Sequence, residues 1–226
     1  MENRSPGLEN LIKAAEDYLF LLNKGYPENP ALALTGNRYS LGKTERIMLF
    51  RGVCATEKAL YRRSRSVNPE SGQELHIDGY NLFFTVLNYR LGRSMFLGYD
   101  GYLRDAGGTH GRFSQKDLFL SLVEELLLFF KDRRYGPLRI YLDTPVSHSA
   151  DHAAGIRRHL EALALPGTCE TCDSADFQLK KASSGLAVTS DTVIIDSTVL
   201  GIYDAARDFL RFRYNPIFFD FKKILS

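Results

Sequence analysis

The chain of 226 residues has a formal net charge of +2, is 44% hydrophobic and contains three cysteines. This length is enough for a sizeable core, and the composition is that of an ordinary globular protein. The small net charge does not by itself indicate a partner, and an odd number of cysteines does not indicate a disulfide framework.

The sequence contains no recognisable export or membrane signal. The first 25 residues are charged throughout and lack the apolar segment of a signal peptide. No uninterrupted apolar stretch approaches the roughly 20 residues of a membrane-spanning helix. We therefore expect a cytoplasmic protein with no membrane partner.

The N-terminal part of the chain has the pattern of helices. Apolar side chains recur at helical spacing over residues 8–24. Two prolines follow and predict an ordered loop over residues 25–43. Thr44 is suited to cap a second helix that continues to about residue 62.

The stretch 64–73 is polar and contains Pro and Gly, which predicts a domain boundary. We expect a small helical domain at residues 1–68 and an α/β domain at residues 74–226. Lys and Arg outnumber Asp and Glu in the N-terminal part, which ends in a run of three arginines: Arg62, Arg63 and Arg65. This run suits contact with a phosphate backbone, and the alternative is a solvated helix end.

After residue 74 the pattern changes to short apolar runs separated by helical stretches. Strands are predicted at 74–78, 138–143 and 185–191, and helices at 80–90, 115–132, 150–164 and 201–212. The Gly-rich stretch 97–113 is predicted to be a loop. Strands separated by helices indicate parallel crossovers, so we expect a parallel sheet covered by helices.

Each predicted strand ends in an aspartate: Asp78, Asp143 and Asp191. Ligands bind beyond the carboxyl ends of the strands in an open parallel sheet, so these acids are expected to lie close together. Clustered carboxylates repel one another unless a cation lies between them, and oxygen ligands favour Mg²⁺ or Mn²⁺. Such a site suits phosphodiester hydrolysis. The alternative is structural, because aspartate is common in turns and at helix N-termini.

Two stretches of the sequence carry a resemblance to a known family. Residues 76–83, HIDGYNLF, and residues 174–191, SADFQLKKASSGLAVTSD, resemble the NYN branch of the PIN-like nuclease superfamily in order and spacing. The resemblance covers about residues 74–205 and implies a Rossmann-like, three-layer domain that cleaves RNA with a divalent metal ion. The N-terminal sequence resembles a helical domain of unknown function that precedes such a domain in some prokaryotic proteins.

The resemblance also implies roles for individual residues. Four carboxylates would surround the metal ion and act in catalysis: Asp78, Asp143, Asp176 and Asp191. Asn81 would orient the scissile phosphate or a metal-bound water, and Ser190 would lie at the same edge, in contact with the substrate. Arg112 lies in a Gly-rich insert that the general family pattern lacks, and it is a further candidate for substrate contact.

Other acids and a set of zinc-type ligands leave alternatives open. PIN-like domains usually place an acid on a helix between the first two strands, where Glu124 and Glu125 are available in this chain. Asp100 and Asp105 either join the site or belong to a structural loop. Four side chains are of the types that bind zinc: His148, His152, Cys169 and Cys172. A domain of this size does not require structural zinc, so free thiols are expected.

These observations predict a metal-dependent endoribonuclease with RNA as its partner. The alternative is a non-catalytic RNA-binding or adaptor protein on the same fold, in which the acids are structural caps. In that case the arginine run and the pair Lys180 and Lys181 would bind the nucleic acid. The oligomeric state is open, with a homodimer among the options.

Overall fold

The structure, a computed structural model, describes residues 6–107 and 116–226. The chain divides into two compact units. Unit 1 comprises Met1–Ser64, Gly92–Gly108 and Ile217–Ser226, and unit 2 comprises Arg65–Leu91 and Thr109–Pro216. This division differs from the predicted ranges 1–68 and 74–226, because two segments of the second range belong to unit 1.

The elements of unit 1 come from its three segments. In chain order, the elements of the whole chain are α1 (Pro6–Asn23), α2 (Glu28–Arg38), α3 (Lys43–Gly52), α4 (Thr56–Ser64), β1 (Leu75–Asp78), α5 (Gly79–Arg90), β2 (Met95–Leu97), β3 (Leu103–Asp105), α6 (Lys116–Asp132), β4 (Leu138–Asp143), α7 (Ser149–Ala162), β5 (Gly167–Cys172), α8 (Ala175–Lys181), β6 (Leu186–Val188), α9 (Thr192–Ile195), β7 (Gly201–Tyr203), α10 (Ala205–Tyr214), β8 (Phe219–Asp220) and α11 (Phe221–Leu225). Unit 1 contains α1–α4, β2, β3, β8 and α11. No helix in the described ranges combines the length and the hydropathy needed to cross a bilayer.

Unit 1 is helical at its N-terminal end, but its helices differ from the prediction. The predicted loop at residues 25–43 contains α2, and the predicted second helix is two helices, α3 and α4. Pro27 is the N-cap of α2 and Pro30 lies in its first turn, where backbone N–H groups have no partner within the helix. Both prolines are therefore compatible with the start of a helix. Gly42, not Thr44, is the N-cap of α3.

A small three-stranded sheet completes unit 1. β2 pairs with β3 in an antiparallel manner and with β8 in a parallel manner. The stretch predicted to be a loop, 97–113, therefore contains a strand, which is too short to show a period in the sequence. The core of this unit joins α1, α3, β2 and α11 through buried side chains that include Tyr18, Leu49, Phe96 and Phe221.

Unit 2 is a five-stranded parallel sheet with helices, as predicted. The strand order is β5-β4-β1-β6-β7. The chain proceeds from β1 outward to β4 and β5, then returns to the other side of β1 for β6 and β7. Parallel crossovers are right-handed, so this reversal puts α8 and α9 on the face opposite α5, α6 and α7. The arrangement is Rossmann-like, and its reversal point lies between β1 and β6.

Two strands of this sheet were not predicted. β5 has the sequence GTCETC, whose polar residues suit an edge strand but give no apolar run. β7 occupies the beginning of the predicted helix 201–212, and α10 begins only at Ala205. The long helix α6 is buried on one face, where Phe119, Leu122 and Val123 have almost no exposed surface. Ser121, Glu124 and Leu128 form an exposed stripe that the nearly all-round apolar pattern did not predict.

Candidate functional site

Two strands deliver acids to the carboxyl edge of the sheet in unit 2. Asp78 is the last residue of β1, and Asp143 is the last residue of β4. Asp78 is aligned with Tyr141 on β4, so Asp143, two residues further on, belongs to the same face of the sheet. The third predicted strand was expected to end in Asp191, but β6 ends at Val188 and Asp191 follows it as the N-cap of α9.

Asp78 is a buried carboxylate at the point where β1 turns into α5. Its side chain accepts hydrogen bonds from the backbone N–H of Asn81 (3.2 Å) and from the hydroxyl of Thr189 (3.1 Å). Burial raises the pKa of Asp78 to about 7, and the negative charges of Asp191 and Asp143 add to this effect. Asp78 is thus both the N-cap of a helix and a member of an acidic cluster.

Thr189 connects two of the acids and was not singled out from the sequence. Its hydroxyl donates to Asp78, and its Oγ1 accepts the backbone N–H of Asp191 at 3.1 Å. The residue is buried at the reversal point of the sheet. Its place just after a strand and directly before Ser190 and Asp191 is the signal that could have identified it.

Asn81 and Ser190 are also joined directly. The side-chain oxygen of Asn81 accepts the backbone N–H of Ser190 at 2.9 Å and its hydroxyl at 3.2 Å. This contact ties the first turn of α5 to the segment that follows β6. The predicted role of Asn81 at a phosphate stays a prediction, and the structure gives Asn81 a positioning role.

Asp143 and Asp176 belong to the same edge. The backbone N–H of Ala175, at the start of α8, donates to Asp143 at 2.8 Å. Asp176 is the next residue of this helix and is half-buried. Burial raises the pKa of Asp176, the charges of Asp191 and Asp143 raise it further, and Lys180 opposes them. Asp78 and Asp176 are therefore each affected by the same two neighbouring carboxylates.

The acids of this edge supply oxygen atoms of the type that binds divalent cations, but their side chains are not arranged as a ligand group. Carboxylates that raise the pKa of their neighbours favour a bound cation, and their oxygens suit Mg²⁺ or Mn²⁺. However, nowhere in residues 6–107 and 116–226 are three His, Cys, Asp or Glu side chains arranged as metal ligands. Asp78, Asp143 and Asp191 each accept a backbone N–H. The acids are thus assembled, but not as a preformed ligand group.

A further acid lies at this edge that no pattern in the sequence indicates. Asp204 directly follows β7 and is the N-cap of α10, where it accepts the backbone N–H of Arg207 at 3.1 Å. It is buried and lines a small cavity together with Asn81, Thr189 and Ser190. The predicted helix 201–212 would have placed Asp204 inside a helix.

Comparisons with known proteins match two family models to this chain, and one of them includes all the residues of the acidic edge. A domain of unknown function, DUF5616, matches residues 68–207, and a protein family of unknown function, DUF434, matches residues 10–65. The chain belongs to the DUF5616 family. The DUF5616 match includes every residue of the acidic edge, from Asp78 to Asp204.

A relative of this DUF5616 protein covers nearly the same length. An uncharacterised protein of Methanocaldococcus jannaschii is 30% identical over 193 residues, which cover 83% of this chain and 90% of the relative. No solved structure matches the chain at a significant level.

The arginine run that precedes the DUF5616 domain is engaged in structural contacts. Arg62 is only 7% exposed and pairs with Asp100 at 3.2 Å, so it is not the end of a solvated helix. Arg63 lies over the ring of Tyr99, 5.1 Å from its centroid. Arg65, in unit 2, donates to the backbone carbonyls of residues 198 and 200. Arg112 lies outside the described residues.

The other candidate acids have partners of their own. Asp100 is paired with Arg104 as well as Arg62, and Asp105 lies 3.7 Å from Arg51, all within unit 1. In unit 2, Glu125 pairs with Arg90 on α5. Glu124 is exposed on α6. These contacts support structural roles for Asp100, Asp105 and Glu125.

The side chains of the DUF5616 domain that are of zinc-binding types have separate contacts and orientations. His152 is buried and bonds through Nδ1 to the hydroxyl of Tyr80 at 3.1 Å. Cys169 and Cys172 are three residues apart on β5, so their side chains point to opposite faces of the strand. Burial raises the pKa of Cys169 to about 12 and that of Cys172 to about 11. Neither cysteine forms a disulfide bond.

The glycine that follows Asp78 is required by close packing. A Cβ at Gly79 would lie 2.5 Å from Cδ2 of Leu142 and 2.9 Å from the backbone oxygen of Tyr141. We therefore expect Gly79→Ala to destabilise the protein by about 1–3 kcal/mol in urea unfolding, because the first turn of α5 and β4 would have to move apart beside the acids. Gly72→Ala is unsuitable as a control because of its positive φ, whereas Gly7→Ala meets no atom within 4 Å. Equal stability of the Gly79 and Gly7 variants would contradict this account.

Proposed function

We propose that this DUF5616 protein is a metal-dependent endoribonuclease that hydrolyses RNA at the acidic edge of unit 2. The observation that carries the proposal is the convergence of Asp78, Asp143, Asp176 and Asp191 at the reversal point of a parallel sheet, with charges that act on one another. The strand order and the order of the acids along the chain support a PIN-like domain. A cytoplasmic location belongs to the same proposal.

The residues of the edge divide into two roles. The four aspartates would hold Mg²⁺ or Mn²⁺, and such an ion supplies a polarised water and charge neutralisation for phosphodiester hydrolysis. Thr189 and Asn81 are positioning residues. Thr189 fixes Asp78 relative to the backbone of Asp191, and Asn81 fixes Ser190 relative to α5.

Cleavage assays on Asp191→Asn test this proposal. The purified protein is incubated with a pool of labelled RNAs in Mn²⁺, in Mg²⁺ and in EDTA. We expect cleavage that requires the metal and falls by at least about 100-fold in the variant, because even outer partners of a metal site cost 10- to 100-fold. Asparagine retains the oxygen that caps α9, so a loss is not simply a loss of the cap.

The matched control for this variant is Asp220→Asn. Asp220 caps α11 in unit 1 through the N–H groups of Lys222 and Lys223, outside the acidic edge. Its replacement should leave cleavage unchanged. Cleavage that persists in EDTA, or in Asp191→Asn at the rate of the control, would overturn the nuclease proposal.

A second candidate function is a non-catalytic RNA-binding or adaptor protein. It is favoured by the backbone N–H groups that Asp78, Asp143 and Asp191 accept, which is what structural caps do. This candidate predicts that the RNA pool is bound but not cut. It also predicts that Asp191→Asn binds RNA as the wild type does in a filter-binding assay.

A further inference from the structure

We infer that Phe177 stacks on an unpaired nucleobase beside the acidic edge, which makes single-stranded RNA the substrate class. The inference rests on the proposed function for its substrate, and it concerns a residue outside the acid cluster. Its basis is one exposed aromatic ring, its neighbours on α8 and α9, and the charge around it.

The position of Phe177 is fixed next to an acid. Its backbone N–H donates to the side chain of Ser174, the N-cap of α8, at 3.2 Å. The preceding residue, Asp176, is affected by the charges of Asp143 and Asp191. The backbone of Phe177 is therefore held directly after an acid of the edge at which the phosphate would be cut.

Phe177 lies on the outer side of α8 and points away from the core. The inner side of α8 is formed by Ala175 and Leu179, which are buried. Phe177, in contrast, is 62% exposed, and Val193 on the neighbouring helix α9 is 55% exposed. Single exposed apolar residues are common on protein surfaces. Here both exposed residues lie close in the sequence to acids of the cluster, because Phe177 directly follows Asp176 and Val193 is two residues after Asp191.

Two of the charges near Phe177, those of Lys180 and Lys181, complement a nucleic acid backbone, whereas the neighbouring acids do not. Lys180 and Lys181 lie three and four residues after Phe177, on the same side of α8, and both are exposed. Lys180 lowers the pKa of Asp176, so its ammonium group is near that acid. An aromatic ring with adjacent cations is the combination by which proteins hold single-stranded nucleic acids.

Stacking on a protein ring selects the single strand for a physical reason. In a duplex each base is already stacked on its neighbours, and the face of a base becomes available only when it is unpaired. A phenylalanine offers no hydrogen bond to distinguish one base from another. We therefore expect selection for unpaired RNA with little preference for sequence at this position.

The absence of tryptophan from the sequence permits a direct test. F177W, made together with D191N to prevent cleavage, introduces a single indole at the inferred contact. We expect its fluorescence to be quenched on titration with a single-stranded RNA oligonucleotide, and not with a duplex of the same sequence. The control is F212W in the same D191N background, because Phe212 is also 62% exposed but lies on α10 against Arg133 and Phe129. Its fluorescence should not change.

A second measurement uses the loss of the ring. F177A should weaken binding of single-stranded RNA by about 5- to 100-fold in filter binding, the range that one stacked base contributes. F212A should bind as the parent protein does. The inference is overturned if the F177W indole is unquenched at RNA concentrations that saturate filter binding, if F177A and F212A bind alike, or if neither RNA form binds.

The two proposals fail in different ways. Quenching of F177W without any cleavage by the wild-type protein supports the stacking inference and contradicts the nuclease proposal, which leaves an RNA-binding adaptor. Metal-dependent cleavage without quenching supports the nuclease proposal and overturns the stacking inference.

Discussion

Asp78→Asn is expected to stabilise the metal-free protein at pH 8 and to abolish its response to Mn²⁺. The wild-type protein buries a carboxyl group whose pKa is raised from 3.8 to about 7, so its folded state binds a proton more tightly than its unfolded state. Its stability therefore falls as the pH rises from about 4 to about 7. Asparagine carries no charge, so the variant avoids this loss, which is on the order of 4 kcal/mol.

The measurement is urea unfolding in EDTA between pH 5 and pH 8, followed by the same series with Mn²⁺. The free energy of unfolding of the variant should exceed that of the wild type by an amount that grows as the pH rises and is smallest at pH 5. Mn²⁺ should stabilise the wild type and not the variant, because binding of a cation offsets the repulsion among the acids. Asp220→Asn, which alters a cap in unit 1, should follow the wild type in both series.

Two outcomes would contradict this prediction. If the variant is no more stable than the wild type at pH 8, the buried charge of Asp78 does not destabilise the folded state. If Mn²⁺ stabilises both proteins equally, the ion does not bind at Asp78. The second outcome would favour the adaptor, in which the acids serve only as caps.

The other large effect is expected at Asp100 in unit 1. Its carboxylate accepts two hydrogen bonds from Arg104, at 2.7 and 2.8 Å, and lies 3.2 Å from Arg62. Burial alone would raise the pKa of Asp100, but the charge and hydrogen bonds of Arg104, with the charge of Arg62, lower it below its ordinary value. Asp100→Asn removes the carboxylate that these two buried guanidinium groups share, at a cost of about 3–5 kcal/mol.

A surface ion pair of the same unit provides the control. Asp17 lies 3.7 Å from Arg38 and accepts a hydrogen bond from the hydroxyl of Tyr39, and the side chains of Asp17 and Arg38 are 42% and 70% exposed. Asp17→Asn should cost no more than about 1 kcal/mol, because water and salt screen such pairs. Urea unfolding of both variants measures the difference. If Asp100→Asn costs no more than Asp17→Asn, the buried cluster does not stabilise unit 1.

The elements that could be predicted from the sequence are those with a long or distinctive pattern. Helices α1, α5, α6 and α7 have enough turns for their apolar period to be visible, and β1 and β4 are apolar runs that end in an acid. Of the five missed strands, β5 has six residues but no apolar run, whereas β2, β3, β7 and β8 have two or three residues each. A strand of that length has no measurable period, and its pairing depends on distant segments.

The sequence by itself determined the parallel α/β character of unit 2 and the position of Asp78 and Asp143 at strand ends. These follow from local periodicity and from residue order. Only the tertiary structure decided that Thr189 links Asp78 to Asp191, that Asp204 lies at the same edge, and that Arg62 is paired with Asp100. Each of these depends on segments far apart in the chain. Their proximity is set by the order of strands and the packing of helices, which no local pattern records.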